Sequence, residues 1–241
     1  MVTASSDERY AAVAALTDGS RRALFDYICR ADHPVDRDEA ASAVGISRKL
    51  AAFHLDKLVE VGLLRAARQS RPPRRTVGRP PKVYEPGDAE IQLSIPHREH
   101  TLLAGILLDA IDTATAGASP RDHALRVAHE HGNAIGQAER RSDHGNSDDS
   151  SVAGEAALRT VESLLGRFGF EPQRRERDTI WLRNCPFTPL ADRSAELVCG
   201  INHALLSGLL DGLGMDTIRA VLAPEPGHCC VRFDAVTHSP G

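Results

Sequence analysis

Apolar residues recur along the first sixty positions at the three- and four-residue spacing of helices that bury one face. The alanine-rich stretch from Asp7 to about Thr17 predicts a helix ended by Gly19. Ser20 is placed to cap a second helix, with Leu24, Tyr27 and Ile28 inside and Arg21, Arg22 and Asp26 outside. After a break at His33 and Pro34, VDRDEAASAVG predicts a short helix stopped at Gly45. Ser47 to Val61, SRKLAAFHLDKLVEV, follows as a helix with Ala51, Leu55, Leu58 and Val61 along its inner stripe. Two short helices joined by a tight turn have the rhythm of a helix-turn-helix. The period then shortens to about 2, the spacing of a strand. LLRAAR alternates like the first strand of a hairpin, KVYEP returns, and Pro86 and Gly87 close it.

Beyond the hairpin, HREHTLLAGILLDAIDTAT from about His97 to Thr115 repeats Leu103, Ile106, Leu107, Ala110, Ile111 and Ala114 at helical turns, a stripe broad enough to need a partner. Arg121 to Arg140 predicts another helix, and RSDHGNSDDSS a polar linker or loop tip. Ala153 to Phe168 predicts a helix closed by Gly169, RRERDTIWLRN one or two strands, and residues 193–213 a strongly apolar helix. IRAVLAPEPGHCCVRFDA then supplies two strands around a Pro-Gly turn. The expected fold is mainly α with α+β character. It comprises an N-terminal winged helix-turn-helix over 1–90, central helices for dimerisation or linkage over 91–150, and a C-terminal α/β sensor domain over 151–241.

Composition narrows the field. A chain of 241 residues with 41% hydrophobic and 26% charged residues suits two modest soluble domains. No apolar run reaches the roughly 18 to 20 residues of a membrane span, and MVTASSDERY lacks the basic-then-apolar pattern of a signal peptide, so a cytoplasmic protein without a membrane partner is expected. A net charge of -4 argues against indiscriminate nucleic-acid coating. Yet RAARQSRPPRRTVGRPPK, from Arg65 to Lys82, carries seven positive side chains and no acid. Such an arm between two strands suits a segment that phosphate would order.

SRKLAAFHLDKLVEVGLL and GRPPKVYEP carry the most specific likeness. The segment from Leu16 to Pro86 resembles the ArsR-like winged helix-turn-helix regulators of bacteria. The resemblance implies a recognition helix in the major groove, a wing along the backbone or minor groove, and a homodimer on a palindromic operator of double-stranded DNA. The residues agree with it: Ser47, Arg48 and Lys49 at the helix start offer a hydroxyl, a fork of donors and a point charge to base edges and phosphates. Arg74, Arg75, Arg79 and Lys82 are the wing candidates. His54 lies beside the buried stripe, where it either packs inward or touches DNA.

Five cysteines in a reducing compartment argue against a disulfide framework. Cys29 stands alone and reads as a small hydrophobe of a core. Cys185 in NCPFTPL, Cys199 in AELVCGINH, and Cys229 and Cys230 in PGHCCVRF share the last quarter, each at the end of a predicted element, and such ends can converge. Cys199 and His203 are four apart and share a helix face. Thiolates are soft ligands suited to iron–sulfur clusters, zinc or copper(I). The arrangement resembles the SufR-like subgroup of iron–sulfur-binding repressors. The resemblance implies Cys185, Cys199 and one of Cys229 or Cys230 as ligands of a [4Fe-4S] or [2Fe-2S] cluster; the residues leave the fourth open between His203, an acid and a small exchangeable molecule, and zinc is the alternative metal. His129 and His131, two apart on a helix, do not face each other, and Asp143, His144, Asp148 and Asp149 read as solubilising.

The expected function is a sequence-specific DNA-binding transcriptional regulator, a repressor, whose operator affinity is controlled by that metal centre. The competing reading makes the apolar helix of residues 193–213 the wall of an organic-effector pocket, with the cysteines structural or zinc-binding. An enzyme is not expected, since no nucleophile–base–orienter set or phosphate-cradling glycine loop is recognisable.

Overall fold

Short polar side chains decide where the first helices begin. Asp18 accepts from the Arg21 amide at 2.9 Å, and Asp36 from the amides of Asp38 and Glu39 at 2.8 and 2.9 Å; Ser47 Oγ accepts from Leu50 at 3.2 Å. These caps open α2 (Gly19–Arg30), α3 (Arg37–Val44) and α4 (Arg48–Glu60), which follow α1 (Ser6–Ala15). Asp18 therefore caps where Ser20 was expected, and Gly19 opens a helix instead of ending one: a carboxylate at the turn satisfies the free amides two residues earlier than the serine could. α3 ends on Gly45 at φ 72°, the left-handed conformation that a glycine adopts without strain.

This structure, a computed structural model, describes residues 6–68, 81–88, 91–114, 117, 119–142, 153–176 and 179–236. It is mixed α/β, with two small antiparallel sheets, and the chain divides into two compact units, Met1–Leu93 and Ser94–Gly241. No helix among the described residues is long and apolar enough to cross a membrane.

In the first unit, β2 (Leu64–Arg68) and β3 (Lys82–Pro86) pair as the expected hairpin, and β1 (Val35–Asp36) adds to the outer side of β3, Val35 opposite Tyr84. β1 escaped the sequence reading because two residues are too few to show a period. Leu24, Ile28, Val35, Ala51, Leu55, Leu58 and Tyr84 fill the core. Cys29 does not join them. It is exposed, because Ile28 takes the inward position and the next residue on a helix is turned about 100° away.

The second unit contains α5 (His100–Asp112), α6 (Pro120–Ser142), α7 (Ala153–Arg167), β4 (Pro172–Glu176), β5 (Thr179–Leu182), α8 (Leu190–Arg193), α9 (Ala195–Leu213), β6 (Ile218–Leu222) and β7 (Val231–Ala235). Its sheet runs β4-β5-β7-β6, antiparallel throughout. The helices of 91–150 do not stand apart as a region of their own. Leu103 and Ile106 of α5 and Val127 of α6 share one core with Leu205 of α9 and Phe233 of β7. On α5, Leu103, Ile106 and Ala110 find partners in this way, whereas Leu108 and Ile111 are exposed.

α6 and α9 meet backbone to backbone. A Cβ on Gly132 would lie 1.9 Å from Leu205 O, and one on Gly208 would lie 2.0 Å from His129 O; Gly136 and Gly212 are as crowded. Only hydrogen fits at these four positions, so the small-residue spacing sets the closeness of the two helices. That closeness lets α9 lie deep in the unit with Ile201, Asn202 and Leu206 buried.

Candidate functional site

The start of α4 presents an exposed surface. Ser47, Arg48, Lys49 and Leu50 are all exposed, and Phe53, one turn on, is 64% exposed. Ser47 caps the helix as an acceptor, which leaves its hydroxyl proton available to an outside acceptor. Arg48 Nε lies 2.7 Å from Asp38 Oδ1 on α3, both side chains well exposed, so the ion pair is weak and exchangeable. Leu50 and Phe53 were not singled out from the sequence; a phenylalanine off the buried stripe was the signal.

His54 belongs elsewhere. It is buried on the inner stripe with Ala51, Leu55 and Leu58, its Nε2 lies 3.9 Å from Asp18 Oδ1, and its ring meets that of Phe53 edge to face at 5.4 Å. Three residues after Ala51 and four before Leu58, it shares their face, so of its two alternatives it takes the inward one. Its Nδ1 is buried with no hydrogen-bond partner. The carboxyl of Asp18 is held below the usual range, first by the Arg21 amide and, after the opposing effect of burial, by His54.

Lys82 is exposed at the start of β3, where Nζ contacts Asp56 Oδ1 of α4 at 2.5 Å and sits 5.1 Å over the Tyr84 ring. The Asp56 contact raises its pKa. Lys82 thus ties the hairpin to α4 in addition to presenting charge. Arg74, Arg75 and Arg79 lie outside the described residues.

The second constellation sits in the other unit. Cys185 follows β5 in a turn anchored by Asn184, whose amide donates to His97 O at 3.1 Å and Gly169 O at 2.6 Å. Cys199 lies in the second turn of α9. Cys229 and Cys230 follow the turn at Gly227, where Cys229 N donates to Leu182 O at 2.8 Å and Ala223 N to Cys230 O at 2.7 Å. These backbone bonds pin the pair between the ends of β5 and β6. As a result the thiols are neighbours: Cys185 with Cys229, Cys229 with Cys230, and Cys230 with Cys199. Cys229 and Cys230 are buried, while Cys185 and Cys199 are partly open to solvent.

Crowding divides their acidities. The Cys229 thiol donates to Cys185, which with the Phe187 amide and the Thr188 hydroxyl lowers Cys185 to about 7 against the opposing effect of burial. Cys230 is lowered to about 6, first by Cys229, with Cys199 and Asn202 helping. Cys199 is pushed up to about 12, chiefly by burial, and Cys229 is raised strongly because its proton serves Cys185 and Cys230. Such a group holds two of its protons loosely, near neutrality, and the other two tightly, the behaviour of coupled sites.

His203 is directed away from this group. Its Nε2 lies 3.2 Å from Ala220 O on β6, so it binds backbone. Asn202, one residue earlier and fully buried, faces the sulfurs: Nδ2 lies 3.1 Å from Cys229 Sγ and 4.0 Å from Cys230 Sγ. The shared face of residues four apart proposed His203, but the packing of α9 turns position 202 toward the thiols. A polar residue three after Cys199, hence near its face of the helix, was the available signal.

Among the described residues, no three His, Cys, Asp or Glu side chains stand ready about one metal ion. The four free thiols hydrogen-bond in a row instead, Cys185 to Cys229 to Cys230 to Cys199. In donor type alone, four soft thiols fit a thiophilic metal or cluster. No protein-family model matches the chain, and no curated protein matches it.

Proposed function

We propose that the chain is a sequence-specific DNA-binding transcriptional regulator, a homodimeric repressor whose first unit is a winged helix-turn-helix. The observation that carries this reading is the exposed start of α4, set on a short turn after α3 and followed by an antiparallel hairpin whose connecting segment is rich in arginine. Ser47, Arg48 and Lys49 contact base edges and phosphates, Leu50 and Phe53 extend the contact to thymine methyl groups, and the arginines between β2 and β3 hold the backbone. The likeness of SRKLAAFHLDKLVEVGLL and GRPPKVYEP to ArsR-like regulators supports it. For the second copy we propose α5, on which Leu108 and Ile111 are exposed apolar residues.

The second unit regulates through Cys185, Cys199 and one of Cys229 or Cys230, which hold an iron–sulfur cluster or zinc, as the SufR-like resemblance implies. When bound, such a centre supplies metal–thiolate bonds that oxidation or metal loss breaks. The chain's own residues do the rest: Asn184 fixes the Cys185 turn, and the β5 and β6 ends hold Cys229 and Cys230. An organic-effector pocket against α9 is the weaker reading, because α6 already covers that helix at backbone distance. The cavity beside them, about 360 Å³, is lined by polar Gln137, Arg140, Arg141 and Asp211 with Gly212.

The test is an operator selected from random duplexes by the full chain. Arg48→Glu combined with Lys49→Glu is expected to weaken its binding by about 100-fold at moderate salt. Undiminished binding by that variant would refute the DNA-reading role of α4.

A further inference from the structure

Asn202 is fully buried on α9 beside the thiols, yet half of its amide goes unused: Oδ1 has no hydrogen-bond partner. An unmet buried acceptor opposes folding, and leucine would fill nearly the same volume without it. Folding alone therefore gives no reason for an amide here. The other half of the amide is aimed, with Nδ2 at 3.1 Å from Cys229 Sγ and 4.0 Å from Cys230 Sγ. A protonated thiol is a poor acceptor of that hydrogen bond, whereas a thiolate accepts it strongly because the bond becomes charge-assisted. The contact to Cys229 therefore strengthens once that sulfur becomes a ligand.

We propose that Asn202 is a positioning residue of the thiol centre, donating to Cys229 Sγ and so making Cys229 the retained ligand of the adjacent pair. The proposal rests on the metal-binding reading above and adds to it a residue that no ligand pattern would select. A residue of this kind orients and stabilises a ligand without touching the metal, and losing one commonly weakens metal binding by about 10- to 100-fold.

The experiment uses the full-length chain under oxygen-free conditions, with cobalt(II) as the probe in competition with a chelator, read by thiolate-to-cobalt charge-transfer absorption. Asn202→Leu is expected to bind cobalt about 10- to 100-fold more weakly than the parent. The same variant, stripped of metal, is expected to melt at or above the parent temperature, because it loses a buried unmet acceptor. A merely structural asparagine would move both readouts downward together. Equal cobalt affinity in parent and variant overturns the role of Asn202 and leaves the metal reading standing. A metal-free variant that melts lower, or does not fold, overturns the role as well. A parent chain that gives no thiolate–cobalt band overturns both.

Discussion

The contact surface of α4 and the thiol group of the second unit are assembled on different scales. From Ser47 to Phe53 the candidate contacts lie on two turns of one capped helix and face solvent, and the residues that shape the fold point the other way. The thiols come from a turn after β5, from α9, and from the turn before β7, and two of the four are buried in the core that folds the unit. A surface built on one helix can change its chemistry with little cost to folding. A site built from the core has less freedom, because the buried residues that shape it also pack the unit.

The sharpest way to break this contrast is at the glycines that let α9 reach its depth. Gly208→Val puts a branched side chain where a Cβ already meets His129 O at 2.0 Å. Calorimetry is expected to show the second unit destabilised by more than about 3 kcal/mol, with the thiols losing their arrangement. A variant as stable as the parent would mean that α6 and α9 do not meet through their backbones.

A smaller effect tests the division within α4 itself. His54→Ala removes a buried ring and is expected to cost about 1–3 kcal/mol in urea unfolding. Phe53→Ala, one position away and exposed, is expected to change stability by no more than about 0.5 kcal/mol. Equal losses for the two would erase the distinction between the inner stripe and the outer face.

The smallest expected effect is one of pH. Cys185 and Cys230 are lowered, so as thiolates they contribute stability above the usual thiol value of 9.0 that is lost as pH falls through about 7 and 6. Cys199 and Cys229 are raised, so they contribute stability below 9.0 that is lost as pH rises toward their folded values. The two pairs act in different windows, so the stability of the metal-free protein should rise from about pH 6 to 9, where only the lowered pair titrates, and fall above 9, where the raised pair does. Alkylation is the better readout. One thiol of the group should react with a midpoint near neutrality, whereas Cys29, raised by partial burial and by Asp26, should titrate above 9.0. A single midpoint above 9.0 for every cysteine would show that the four thiols are not coupled.

Much of the fold was legible because the deciding signals are local. Gly45 marks an end that neighbouring residues alone specify, and the change of period after Val61 marks the hairpin. The misses are of another kind. Ser20 lost the cap to Asp18 at one turn, β1 is too short to carry a pattern, and Cys29 fell one position outside a stripe that ends on Ile28. The partners of α5 and α6, and the glycine contacts that seat α9, lie too far apart in sequence for any window to register.

Sequence alone determined the order and type of the principal helices and strands, the cationic run from Arg65 to Lys82, and the gathering of four cysteines toward the ends of neighbouring elements. Only the tertiary structure decided that His54 turns inward, that Cys185, Cys199, Cys229 and Cys230 become neighbours, and that Asn202 faces them in place of His203. The reason is geometric. Consecutive helix residues point about 100° apart, so a pattern fixes a face only to within a residue, and the final choice belongs to whatever packs against it.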